Sequence, residues 1–207
     1  MISPEEKTEE KASLIIHSNA IASTIGANAF AGMSWFGLDA SLSATIGTNM
    51  VRDLGKLFGK TYKETTIHAI LDQVLGTIMG VSSAASVLGL VPGIGNAVNS
   101  SITFSVIEIL GWAVYDILKD GRDITSLSLE EFKKYIRIAS TAEKPDMRKR
   151  IEALSPEKKR EYNRLIAQLG DEDLSDEERQ SILNKLENLM DSPESGVPRM
   201  VRSTFPL

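Results

Sequence analysis

The hydrophobic pattern sorts the chain into two kinds of helix. From Gln73 to Ile107, 35 residues pass without an Asp, Glu, Lys or Arg, and apolar residues dominate on both sides of Val91-Pro92-Gly93-Ile94-Gly95. Proline cannot continue a helix and glycine permits a tight turn. The pattern therefore predicts a helix from near Lys63 to Leu90, a break at Pro92-Gly93, and a second helix from Gly95 to Leu118. Upstream, Ser3-Pro4-Glu5-Glu6 has a capping serine, proline at the first helical position and glutamate three residues after the cap. The helix it opens is predicted to run to Phe30. Gly32 to Gly37 reads as a turn, and a further helix spans Leu38 to Phe58, with Gly59 as its C-terminal cap.

After residue 122 the pattern becomes amphipathic and charged. Ser128 to Glu131, Ser155-Pro156-Glu157 and Ser175 to Glu178 each read as a helix start. They predict helices ending at Ala139, Leu169 (before Gly170) and Met190, with a short helix over Met147–Leu154. One apolar stripe holds Tyr162, Leu165, Ile166 and Leu169, and the next holds Ile182, Leu183, Leu186 and Leu189. No strand pattern or internal repeat competes. The expected fold is all-α: a hydrophobic four-helix bundle over residues 1–121 with a central helical hairpin, a small charged helical C-terminal appendage over 122–191, and a proline-containing tail over 192–207.

Charge sharpens the division. Residues 12–118 hold only ten of the 51 charged side chains, and Ala12 to Leu38 has none. A helix without a charged outer face must be covered on all sides. The cover is either lipid or protein. A spanning helix needs about 20 mostly apolar residues. Gln73–Val91 and Ile94–Tyr115 are long enough, but Asn96, Asn99, Ser100, Ser101, Thr103 and Glu108 weaken the second. Trp112 and Tyr115 would suit a membrane interface. Gly76 and Gly80 form a GxxxG pattern that permits close helix packing in lipid or in a soluble bundle.

Candidate chemistry is sparse. With no cysteine in the chain, disulfides and thiolate metal sites are excluded. The net charge of −5 gives no general attraction for nucleic acid. Gly55 to Thr61 superficially resembles a phosphate-binding loop, but it has three residues between its glycines where that loop needs four, and no strand precedes it; a glycine-capped helix end explains it. His17 and His68 lack ligand spacing. Ser155 to Lys158 matches an acylation motif in letters only. Asp39, Asp72, Glu108 and Asp116 are isolated carboxylates in the apolar part, for which facing solvent or pairing is expected over catalysis. Arg52, Lys56 and Lys60, spaced by four, form a basic stripe near a helix end. No catalytic, cofactor-binding or metal residue is nominated.

The order of Trp35 to Ala40, Met50 to Lys60, Leu90-Val91-Pro92-Gly93-Ile94-Gly95 and Glu108 to Tyr115 resembles the bacterial DUF697-type domain. That domain occurs at the C-terminus of some GTPases and in predicted membrane proteins of the YcjF type. The resemblance covers about residues 12–118 and implies an all-helical, membrane-associated or GTPase-coupled module with no catalytic residues to carry over. The chain departs from the pattern in lacking a GTPase domain and in adding the charged C-terminal part.

Three functions follow as expectations. The first is a non-enzymatic, membrane-associated or oligomerising scaffold that recruits a cytosolic partner, such as a GTPase, through residues 122–207. The second is a pore-forming or toxin-like protein with an insertable hairpin. The third is a soluble structural homo-oligomer. The acidic start, without the basic-then-apolar order of a secretory signal, leads us to expect a cytoplasmic origin, with attachment to or embedding in the inner face of the cell membrane left open.

Overall fold

The computed structural model describes the backbone of residues 3–29, 39–82, 98–143, 145, 147–171 and 173–191, and the side chains of 3–24, 45–74, 104–143, 145, 147–171 and 173–191. These residues form eight α-helices and no strand. They are α1 (Pro4–Ala29), α2 (Asp39–Leu57), α3 (Glu64–Ser82), α4 (Val98–Lys119), α5 (Leu129–Thr141), α6 (Met147–Glu152), α7 (Pro156–Leu169) and α8 (Asp176–Met190). A single 3₁₀ turn, Ile124–Ser126, leads into α5.

The starts are set by the expected side chains. At α1 the Glu6 amide donates to Ser3 Oγ at 3.1 Å, and the Ser3 amide donates to Glu6 Oε2 at 2.6 Å. The same reciprocal pair opens α5 through Ser128 and Glu131, and α8 through Ser175 and Glu178. Ser155, followed by Pro156, caps α7. The ends of α2 and α4 close on Gly59 and Gly121, with φ of 69° and 72°. There the Lys60 amide reaches back to the Gly55 carbonyl and the Arg122 amide to that of Ile117, a wrap that needs the left-handed conformation glycine adopts without strain. Gly55 to Thr61 is thus a helix terminus. The stretches 30–38 and 83–97, with the turn around Trp35 and the break at Pro92, Gly93 and Gly95, lie outside the described residues.

The first four helices alternate in direction. Ile16 of α1 packs at Gly111 of α4, and His17 meets Glu108 at 3.0 Å. Further along, Lys119 reaches Glu5 at 3.0 Å. Gly47 of α2 lies beside Ile107, Leu110 and Leu71, while the Phe58 ring stands 5.7 Å from that of Tyr115. So α2 runs along α4, and α1 and α3 run against them. The C-terminal ends of α1 and α3 therefore share one pole with the N-terminal ends of α2 and α4. Of the residues in these four helix ends, 21–29, 39–51, 73–82 and 98–107, only Asp39 carries a formal charge. Glu5, Glu9, Lys119, Lys60 and Asp123 gather at the other pole.

At the centre, α1 is buried on every side. From Ala12 to Ser23 every residue is buried except His17 and Ile21, which are half-buried. It packs against α2 and α4 on one side and α6, α7 and α8 on the other. Protein therefore covers this uncharged segment. The helices expected as an appendage share a continuous core with the first four: Tyr162, Leu165, Ile166, Leu169, Ile182, Leu183 and Leu186 join Ile16, Leu54, Leu110 and Trp112.

Candidate functional site

The polar groups of note lie where α8 seats on α1 and α2. Asp53 is fully enclosed, and Arg179 of α8 is equally buried beside it. The Arg179 Nε donates to Asp53 Oδ2 at 2.7 Å, its Nη2 donates to Asn19 Oδ1, and its Nη1 points at the Leu169 carbonyl at 3.5 Å. Gln180 Nε2 donates to the other Asp53 oxygen at 2.8 Å. Every guanidinium nitrogen and both carboxylate oxygens thus face a partner, which is what a buried ion pair requires to persist. Burial pushes the Asp53 carboxyl up and Arg179 opposes the rise; burial likewise lowers Arg179 and Asp53 opposes it.

Further contacts extend this seam. The buried Ser18 and Tyr162 hydroxyls face each other without a well-formed hydrogen bond, and burial pushes the Tyr162 phenol up. Gly170, just after α7, lies against Ala22. Lys11 pairs with Glu187 at 3.0 Å and Arg150 with Glu10 at 3.0 Å. The Lys11–Glu187 contact stands between two shallow hollows of about 220 and 170 Å³. One is lined by Lys7, Glu10, Met147, Arg150 and Met190, the other by Ile15, Asp53, Lys56, Gln180 and Leu183.

The basic stripe is engaged from within the chain. Arg52 and Lys56 both reach Asp176 at the start of α8, at 2.9 and 3.0 Å, and Lys60 reaches Asp123 at 3.0 Å. The side chains expected to form a basic surface therefore tie α2 to α8 and to the turn before α5. Beside Lys60, the half-open Asp123 is held down to about 2, first by the Thr125 hydroxyl and amide and then by Lys60. Tyr62, buried next to it, is pushed up to about 12 by desolvation and then by the Asp123 charge.

Of the remaining nominated residues, Trp112 is buried and stacks edge-on to Tyr115 at 5.5 Å. Glu108 meets His17 in a half-buried pair, and the His17 ring stands edge-on to Phe104 at 5.4 Å. Gly76 and Gly80 are on α3, but their surroundings lie outside the described residues. Asp39 begins α2 with its side chain outside the described set; Asp72 is exposed and Asp116 half-buried. Among the described residues no three His, Asp or Glu side chains converge to hold a metal, and no helix is long and apolar enough to cross a membrane.

Sequence reasoning missed the Asp53–Arg179 pair, although a signal was present. Arg179 falls on the apolar stripe of its helix, three and four residues before Ile182 and Leu183, where a charge has to find a buried partner. It also missed Gly111, where an added β-carbon would lie 2.7 Å from Ile16 Cγ1 and 2.9 Å from Met50 Sδ.

No protein-family model, curated protein or solved structure matches the chain. The fold and the seam define an all-α bundle in which α7 and α8 seat on α1 and α2 through apolar side chains and one buried ion pair.

Proposed function

We propose that this is a non-enzymatic helical module that associates with a membrane through its uncharged pole and offers its charged helices to a cytosolic partner. The observation that carries the reading is the gathering of four helix ends at one pole, with a single formal charge among them, while the Lys119–Glu5 and Lys60–Asp123 pairs lie at the other. Apolar, charge-free surface gains by burial at the acyl boundary of a bilayer, whereas charged side chains are costly in its hydrocarbon interior. The exposed faces of α5 to α8 remain for a protein partner, and the resemblance to DUF697-type domains points to a GTPase.

Flotation of the full chain with phospholipid vesicles tests this. The protein should rise with vesicles, and Leu90→Lys or Ile94→Lys should leave it at the bottom with helicity unchanged. Protein that stays down but elutes as a defined multimer by light scattering would favour instead a homo-oligomer packed through the same pole.

A further inference from the structure

We propose that the second half of α5, α6 and the first turn of α7 form a docking surface for an acidic segment of another protein. This deepens the reading that α5 to α8 recruit a cytosolic partner and rests on it. Residues 133–164 hold eleven Lys and Arg against five Asp and Glu, a surplus of six in a chain whose net charge is −5. Three of these cations are engaged within the chain: Lys133 pairs with Glu130, Arg150 with Glu10 and Arg164 with Glu161. Lys134, Arg137, Arg148 and Arg160 are exposed and make no ion pair with a described residue.

Two further observations point the same way. Lys158 and Lys159 stand in the first turn of α7, at the positive end of the helix dipole, where a cation is disfavoured. A local rule broken without compensation inside the chain is expected where function needs it. Ile138, at 43% exposure, is the one exposed large apolar side chain among the described residues. It follows Arg137 and lies one turn from Lys134, so the basic surface includes an apolar contact point.

The chemistry favours a protein over other polyanions. Surfaces for single-stranded nucleic acid combine cations with exposed aromatic rings that stack bases. Here Tyr135 is half-buried and donates to Asp120, Tyr162 is buried, and five carboxylates interrupt the cations. Arginine matches a carboxylate with two hydrogen bonds at once, and arginine beside an apolar anchor is characteristic of protein interfaces. Position disfavours a bilayer. The α6 helix meets α1 at Glu10, about 28 Å along α1 from its uncharged end at Ala29, whereas exposed charges are screened over about 8 Å.

The test uses the full chain, the triple variant Arg148→Glu/Lys159→Glu/Arg160→Glu, and Ile138→Ser. The probe is a fluorescein-labelled peptide repeating Asp-Glu-Glu-Leu, with a second peptide carrying serine in place of leucine. Anisotropy should show salt-dependent binding to the parent, weakened at least tenfold in the triple variant. Thermal stability of that variant should hold or rise, because Lys159→Glu suits the helix dipole. Ile138→Ser should weaken binding of the leucine peptide severalfold and leave the serine peptide unaffected. No binding, or binding indifferent to the triple variant, would overturn the proposal. Tighter binding of polyuridylate of matched charge would overturn it in favour of nucleic acid. Flotation with phosphatidylserine vesicles that the triple variant abolishes would overturn it in favour of lipid. Flotation with neutral phosphatidylcholine vesicles reads the uncharged pole alone. Peptide binding without such flotation keeps the docking surface and removes the membrane reading; flotation without peptide binding does the reverse.

Discussion

Gly111 of α4 sits so close to Ile16 of α1 that a β-carbon at that position would come within 2.7 Å of the isoleucine side chain, with Met50 Sδ of α2 at 2.9 Å. Three helices meet at this point, where Ile16 and Met50 are fully buried. Gly111→Ala gains about 1 kcal/mol of helix propensity, but overpacking a tight core costs about 1–3 kcal/mol. Both crowded Ile16 atoms branch directly from Cβ and have little freedom to retreat. The alanine variant should lose about 1 kcal/mol in urea unfolding, and Gly111→Val distinctly more. A stabilised alanine variant would mean that the helices separate more easily than this packing implies.

The reciprocal caps give a graded series. Ser175→Ala removes the acceptor for the Glu178 amide, and Ser128→Ala does the same for Glu131. Each should cost about 1 kcal/mol. Arg179 lies one turn beyond Ser175, so the Ser175 variant should also loosen α8 locally. Protection of α8 amides in hydrogen exchange should drop there and stay unchanged in Ser128→Ala.

Asp176 accepts from both Arg52 and Lys56 but is itself 43% exposed. Exposed ion pairs contribute about 0–1 kcal/mol each. Asp176→Asn should therefore shift thermal stability only slightly. The shift should vanish at salt near 1 M, where screening acts over about 3 Å. A large, salt-insensitive loss would place these contacts in a much drier setting than their exposure indicates.

Acid should act first at the junction before α5. Glu131 is held down to about 2, chiefly by Arg122 and then by the Ser128 amide and hydroxyl, and Asp123 to about 2 by Thr125 and Lys60. A carboxyl whose folded pKa is depressed stabilises the fold above its unfolded pKa, and that share is lost as pH falls through the folded value. Asp53 is raised by burial, so its share has the opposite sense: present at acid pH and lost as pH rises. At the start of α8, Glu178 is also held down by Ser175, and Asp176, against burial, by Lys56 and Arg52, so α8 weakens in the same sense. As pH drops from the ordinary carboxylate range toward 2, amides of α5 should lose more protection in hydrogen exchange than those of α8, and a larger loss in α8 would contradict the assignment.

Local chemistry alone determined where helices begin and end: the Ser3, Ser128, Ser155 and Ser175 caps and the Gly59 and Gly121 ends depend on residues three to five apart. The all-α class and the uncharged character of the first half were legible for the same reason. What covers that half was not legible, because coverage is a contact between segments far apart in sequence. Arg179 and Asp53 lie 126 residues apart, and neither residue type names the other. Likewise, Arg52, Lys56 and Lys60 read as a free basic stripe until the fold brought Asp176 and Asp123 against them, and only the alternating direction of the helices gathered the uncharged ends at one pole. Spacing along a chain fixes which face a side chain takes, while the burial that makes a charge costly or a glycine indispensable is set by what packs upon that face.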